Sequence, residues 1–189
     1  MPAQNLPRTV LLRLPNPLGD VVMATPLLAT LRARLPEARL VAAGADFFGP
    51  LLEGQAELDA FLPLPRAARS GRGAVARQAE ILRSAGADVA LILPNSWSSA
   101  LAAWRAGIPR RIGRRGGGRG WILNGCLPPI PGPAPMTALY AEFLVPLGLG
   151  LSPGTALPAA RLTLTRTRPA ALSADFRWLG VAPGAAHPR

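Results

Sequence analysis

The sequence predicts an α/β fold, a parallel sheet with helices on both faces. Two observations carry that expectation. Short and nearly continuous apolar runs recur through the first half of the chain, and segments with helical spacing separate them. Gly-, Pro- and Asn-containing turns close these runs, as they close buried strands. A strand covered on both faces has no polar side to alternate with, so it reads as an unbroken apolar run.

The elements follow in order. Thr9–Leu14 is the first strand, ended by the turn cluster Pro15-Asn16-Pro17-Leu18-Gly19. Asp20–Leu35 reads as one helix, because Val21, Leu27, Leu28, Leu31 and Leu35 share a face and Arg32 and Arg34 suit its negative end. Arg39–Ala43 is the second strand, Phe47–Leu52 a short helix and Ala60–Leu64 the third strand. Residues 65–73 read as a polar loop and Ala74–Ala85 as an amphipathic helix. Asp88–Leu93 is the clearest central strand, and the turn Pro94-Asn95-Ser96 leads into the helix Trp97–Ala106. Residues 107–135 read as irregular, with eight glycines and six prolines diluting any period. Met136–Leu147 reads as a helix.

Domain organisation follows from composition. Residues 1–150 form one domain, and the Pro- and Ala-rich stretch 151–176 is a linker with one candidate strand, Arg161–Leu164. Residues 177–189 hold another strand, Trp178–Ala182, and a Pro183-Gly184-Ala185 turn. A parallel strand needs a covering helix, so this last piece reads as the opening of a second, truncated domain. Its bland alternative is a frayed tail.

The chain has 189 residues and a formal net charge of +11, and all of its 21 basic residues are Arg. A balance this basic favours an anionic partner: nucleic acid, a lipid surface or a phosphorylated substrate. The lone cysteine, Cys126, excludes a disulfide scaffold and a four-cysteine zinc site. His187 is the only histidine, so no metal site is expected. No lysine is present for a P-loop, and no GxGxxG follows the first strand. No stretch approaches the roughly 18–20 apolar residues of a membrane-spanning helix. The N-terminus lacks a signal-peptide layout. These absences give the expectation of a cytoplasmic protein, at most peripheral to a membrane.

In doubly covered parallel sheets, ligands bind beyond the carboxyl ends of the strands. Two loops fit that place, Pro15–Asp20 after the first strand and Pro94–Ser99 after the fourth. Asp20 reads either as a helix N-cap or as a general base held at the sheet's edge. Gly19 lets a substrate approach the backbone closely. Asn95, Ser96, Ser98 and Ser99 read as caps of the next helix or as hydrogen-bonding partners for a hydroxyl-rich ligand. The arginines between 105 and 119 read as a solvated loop, as phosphate or lipid contacts, or as a single RGG-type RNA-binding segment.

Three segments carry a family resemblance: Leu12–Pro26 (LRLPNPLGDVVMATP), Leu93–Ala100 (LPNSWSSA) and Ala106–Gly113 (AGIPRRIG). With them the chain resembles the N-terminal half of the glycosyltransferase family 9 enzymes, the ADP-heptose–lipopolysaccharide heptosyltransferases, closest to the heptosyltransferase II branch. Val181-Ala182-Pro183-Gly184-Ala185 resembles the first strand and turn of that family's C-terminal domain. The resemblance implies a Rossmann-like N-terminal half of a GT-B fold, with most of the donor site in the C-terminal half. It implies an inverting transfer from ADP-heptose to the lipopolysaccharide inner core, with no cofactor and no obligatory metal. It makes Asp20 the catalytic base. It places Asn16, Gly19, Asn95 and Ser96 on the acceptor cleft, and Gly184 and Ala185 near the donor diphosphate. Arg110, Arg111, Arg114 and Arg115 would face the phosphorylated core and the cytoplasmic face of the inner membrane, with no nucleic acid involved. Ser98 departs from the family's usual Lys or Arg, and Gly116–Gly118 replaces a more mixed segment. With the donor half absent, the 189-residue chain is expected to be inactive alone. The rival reading is a non-enzymatic RNA- or anionic-lipid-binding domain that uses the arginine-rich loop.

Overall fold

A computed structural model describes residues 6–130, 132–151 and 157–163. Strand β1 (Thr9–Arg13) leads through an exposed turn into α1 (Leu18–Met23) and α2 (Thr25–Arg34). The single helix expected over Asp20–Leu35 is therefore two. Pro26 lies in the first turn of α2. It has no N–H to donate, so the hydrogen-bond ladder of α1 cannot run through it. Strand β2 (Arg39–Ala45), a 3-10 turn over Asp46–Phe48, α3 (Gly49–Leu52) and β3 (Ala60–Leu64) follow. The stretch expected as loop holds one short helix, α4 (Arg66–Arg69). Then come α5 (Ala74–Arg83), β4 (Val89–Ile92) and α6 (Trp97–Arg105).

Residues 107–135 are not irregular throughout. They hold β5 (Arg110–Arg114) and the short β6 (Gly125–Leu127). The strand RRIGR carries one apolar side chain, so hydrophobic pattern alone does not reveal it. Its ladder is filled all the same: β5 pairs in parallel with β4, and β6 with β5. Beyond them, α7 (Met136–Ala141) continues as a 3-10 helix over Glu142–Leu147. Pro146 sits inside that last segment, which removes one donor from the expected α-helix.

The sheet order is β3-β2-β1-β4-β5-β6, all parallel. Successive residues of each strand point to opposite faces. Val10, Leu12, Leu40, Ala42 and Leu91 therefore pack with α1, α2 and α7 on one side. Leu11, Val41, Ala43, Ala90 and Ile92 pack with α5 and α6 on the other. That double burial is why the strands read as continuous apolar runs.

The described part of the expected linker is tied to the domain. The Arg161 backbone N–H donates to Thr25 Oγ1 (3.1 Å), and Gln55 and Thr163 exchange two hydrogen bonds. Among the described residues Arg161–Thr163 pairs with no strand. Leu164, the expected strand Trp178–Ala182, Gly184, Ala185 and His187 lie outside the described residues.

Candidate functional site

Strands β1 and β4 are neighbours, and the sheet order reverses direction between them. A crevice opens at such a switch point, beyond the carboxyl ends of the strands. The two loops singled out in the sequence leave β1 and β4 side by side at this place. Backbone bonds fix their starts: Leu14 N–H to Ala43 O (2.8 Å) and Leu93 N–H to Arg13 O (3.1 Å).

Asp20 lies half-buried in the first turn of α1. It is not the N-cap. Pro17 holds that position, and no side chain caps the helix. Among the described residues the Asp20 carboxylate makes no side-chain hydrogen bond and no ion pair. Its charge acts on Tyr140 of α7, which is buried. Its phenol is pushed well above its ordinary range, first by burial and then by the charge of Asp20, against the opposing charge of Arg114. Gly19 is exposed, and a Cβ there would meet nothing within 4 Å. The protein's own packing does not require a glycine at that point.

On the β4 side, Ser96 is the N-cap of α6, accepting from the Ser99 N–H (3.3 Å), and its Oγ also meets Ser99 Oγ. The capping reading of Ser96 thus describes its side chain. Asn95 is exposed and its Oδ1 accepts from Arg119 Nη2 (2.9 Å), which turns the amide NH2 outward. Asn16 is exposed, with Oδ1 3.4 Å from Arg13 Nη2.

The arginines divide, and the expectation that they form one substrate-facing set does not match their placement. Arg110 and Arg111 open β5 level with Val89 and Ala90, at the amino edge of the sheet. That is the opposite edge from Asp20. Arg110 donates to Pro146 O, and Arg111 to the carbonyls of Ile122, Ile108 and Pro109. Arg114 ends β5 at the carboxyl edge but is buried, bonded to Pro128 O and Leu139 O and paired with Glu142 at 2.9 Å. Arg115 is exposed, and among the described residues its side chain has no partner. A planar guanidinium offers five donors, which suits it to gathering main-chain carbonyls. Three of the four candidates here do that.

Two further arginines matter, and neither was singled out as a site residue. Arg119 is 1% exposed. It makes five hydrogen bonds, to Arg114 O (two), Pro94 O, Ser96 O and Asn95 Oδ1. It therefore positions the loop after β4. Arg13, at the end of β1, is 3% exposed and donates to Gln78, Leu14 O and Asn16. Burial, helped by the charge of Arg69, pulls its pKa down to about 10, which leaves it cationic at neutral pH. Burial lowers that of Arg119 too. Among the described residues neither has a carboxylate partner. Two buried cations with no carboxylate partner among the described residues, at the bases of these two loops, favour anions there. The signal for Arg13 was available: a single charge inside Leu11-Leu12-Arg13-Leu14 demands a partner or a purpose. Among the described residues no three His, Cys, Asp or Glu side chains gather as a metal-ligand set.

The arrangement is a carboxylate with no side-chain partner among the described residues and an exposed amide, on the two loops that leave a sheet switch point, with two buried arginines at their bases. No family model matches the chain. In sequence it is 36% identical over 115 residues to lipopolysaccharide heptosyltransferase 2 of Escherichia coli (strain K12), a match covering 58% of this chain and 32% of that protein. In structure it superposes on E. coli ADP-heptose lps heptosyltransferase II with a TM-score of 0.61 at 26% identity, covering 83% of this chain and 47% of the other. A glycosyltransferase family 9 structure from Veillonella parvula DSM 2008 superposes with a TM-score of 0.67 at 17% identity, covering 79% and 43%. The chain thus spans about a third of its sequence relative and about half of each solved structure. By sequence and by fold together, it is a relative of lipopolysaccharide heptosyltransferase 2 and carries the parallel-sheet fold found in glycosyltransferase family 9.

Proposed function

We propose that this chain is the acceptor-binding part of an inverting glycosyltransferase that moves heptose from ADP-heptose to the inner core of lipopolysaccharide. The observation that carries the reading is Asp20: a carboxylate at the β1/β4 switch point with no side-chain partner among the described residues, in a chain related to heptosyltransferase 2. Asp20 takes the proton from the acceptor heptose hydroxyl as its oxygen attacks the anomeric carbon. The new C–O bond forms as the bond from that carbon to the ADP oxygen breaks, and ADP leaves with the electron pair. Direct attack from the opposite face inverts the centre and requires no covalent enzyme intermediate. Positioned acid–base groups of this kind contribute about 10²–10⁴-fold to rate.

The other residues have supporting roles. Open space at Gly19 admits the acceptor, and the Asn95 amide NH2 and the Asn16 side chain offer hydrogen bonds to sugar hydroxyls. Ser96 shapes the loop through its cap. The buried Arg13 and Arg119 draw the phosphorylated acceptor and donor electrostatically. Gly184 and Ala185 belong near the donor diphosphate. The activated donor supplies the chemistry, so no resident cofactor is invoked. The location is cytoplasmic, peripheral to the inner membrane. No described helix is long and apolar enough to cross one.

The test has two arms. In the first, heptosylated inner-core oligosaccharide is titrated against the purified chain by ligand-observed NMR. In the second, the chain is fused to the unmatched portion of the E. coli relative and incubated with ADP-heptose and acceptor. Product is read by mass spectrometry. Acceptor binding and a heptose mass increment that Asp20→Ala abolishes are expected. A folded fusion that binds ADP-heptose and acceptor but transfers nothing refutes the reading, as does transfer undiminished by Asp20→Ala.

A further inference from the structure

Large aromatic side chains left in solvent are costly unless something covers them. Three of the four tryptophans do this together. Trp97 is 40% exposed, Trp104 48% and Trp121 68%. Trp97 and Trp104 stand seven residues apart on α6, two turns along one face, while Ser99, Ala100, Ala102 and Ala103 bury the other. Trp121 meets both edge-on, with ring centroids 5.6 Å from Trp97 and 6.5 Å from Trp104.

The cluster is held firmly. The Trp97 indole N–H donates to Gly117 O. The loop reaches that point because Gly117 and Gly118 adopt φ of +51° and +73°, a region that residues with a Cβ avoid. Trp121 ends the 3-10 turn that begins at the buried Arg119. Along the stretch of chain that carries the indoles the charge has one sign. From Val89 to Ala141 the chain has six arginines and no acidic residue, so nothing in that stretch repels a phosphate. Arg105 follows Trp104, and Arg115 opens the glycine loop. Both are exposed, and among the described residues neither side chain has a partner.

We propose that Trp97, Trp104 and Trp121, with Arg105 and Arg115, form the surface on which this protein docks to an anionic lipid bilayer. The inference rests on the peripheral-membrane part of the function proposed above and names the surface responsible. An indole has an apolar body and one polar atom, and it settles at the headgroup level of a bilayer. Arginines beside it add attraction to anionic lipid. A second copy of this chain would bring the same arginines to the contact, and like charge opposes that pairing. The position also suits the chemistry. Trp97 directly follows Asn95 and Ser96, so the docked face adjoins the mouth of the crevice and holds it toward a lipid-borne acceptor.

The test uses the whole chain and vesicles that contain neither acceptor nor donor sugar. Phosphatidylcholine vesicles with about 30% phosphatidylglycerol are compared with phosphatidylcholine alone. The expected result is co-sedimentation with the anionic vesicles that weakens with added salt, a blue shift of tryptophan emission, and quenching by lipids brominated near the headgroup. The double variant Trp104→Ser/Trp121→Ser should bind about tenfold more weakly, the loss expected when two interfacial indoles are removed. Its thermal unfolding should match the parent, because both residues are exposed, 48% at Trp104 and 68% at Trp121. Equal binding by the variant overturns the assigned surface and leaves the peripheral reading standing. No vesicle binding by the parent overturns both. Tryptophan-dependent self-association, or tryptophan-dependent binding of single-stranded RNA in place of vesicles, assigns the surface to another partner and overturns the proposal.

Discussion

Replacing Arg119 with Ala tests whether the arginine-rich segment is architecture or a solvated loop. The guanidinium is 1% exposed and makes five hydrogen bonds to four acceptors. Hydrogen bonds to a charged donor contribute about 1.5–3 kcal/mol each. Their sum is not the cost of removal, because the substitution also relieves the burial of an uncompensated charge. What remains is the desolvation of Arg114 O, Pro94 O, Ser96 O and Asn95 Oδ1, each left without this donor, and the packing lost along the aliphatic stem. A buried acceptor left unsatisfied costs about 1–3 kcal/mol, and with part of these carbonyls open to water the total comes to about 2–4 kcal/mol. For a chain of this size that lowers Tm by roughly 10 °C. Urea and thermal unfolding followed by circular dichroism measure it. Arg115→Ala is the control, since its side chain is exposed and should change stability by less than about 0.5 kcal/mol. Arg119→Lys keeps the charge but offers fewer donors from a single point, so it should fall between the two. If Arg119→Ala does not fold, the Lys variant supplies the measurement. An Arg119→Ala protein within about 1 kcal/mol of the parent refutes the assignment of Arg119 as the brace of the β4 loop.

In the fused enzyme, Asp20→Asn should lower kcat by about 10²–10⁴-fold while leaving the unfolding midpoint of the chain unchanged, because the carboxylate has no described side-chain partner to lose. Equal losses of stability and rate would mark Asp20 as structural. Gly19→Ala should fold normally, since its Cβ enters open space, yet weaken acceptor binding in the NMR titration. A variant that binds the acceptor as well as the parent would remove Gly19 from the cleft. Asp59 should shape the acid limb of stability. Burial alone would raise its pKa, but its bonds to the Leu40 N–H and the Arg32 guanidinium outweigh that and hold it below the ordinary carboxylate value. Its contribution is then complete above the unfolded pKa near 4 and is lost as pH falls through the lower folded value. Asp59→Asn should cost about 1 kcal/mol at pH 7 and flatten the stability profile in that acid window. An unchanged acid limb in urea titrations would refute the assignment.

Strands β1, β2 and β4 were legible because each is buried on both faces, and double burial writes itself as an apolar run; the edge strand β3 is only partly buried but keeps an apolar sequence. Strand β5 was not legible, because Arg110, Arg111 and Arg114 fill it. Arg114 is buried and Arg110 and Arg111 half-buried, and carbonyls distant in sequence receive them, Pro146 for Arg110, Ile122 for Arg111, and Pro128 and Leu139 for Arg114. The helix break at Ala24 had a local sign in Pro26. The short β6 had none. At the site, the pairing of the Pro15–Asp20 and Pro94–Ser99 loops was readable, because strand–helix alternation places both at carboxyl ends. The role of Ser96 as a cap was one of two readings from the start. Asp20's freedom from capping duty was not readable, since it depends on where the first helical turn begins.

The sequence by itself determined the layer architecture, the placement of Asp20 and Asn95 at one edge of the sheet, and the kinship carried by three short segments. Those are consequences of local periodicity and turn chemistry, which act over a few residues. Only the tertiary structure decided what the arginines do. A guanidinium's fate depends on which carbonyls the fold brings to it, so Arg110 and Arg111 went to the far edge, Arg114 and Arg119 went inside, and Arg115 stayed in solvent. It alone also gathered three tryptophans from α6 and a distant turn onto one exposed face. No pattern along the chain records that meeting, because edge-to-face contact between rings is a property of packing.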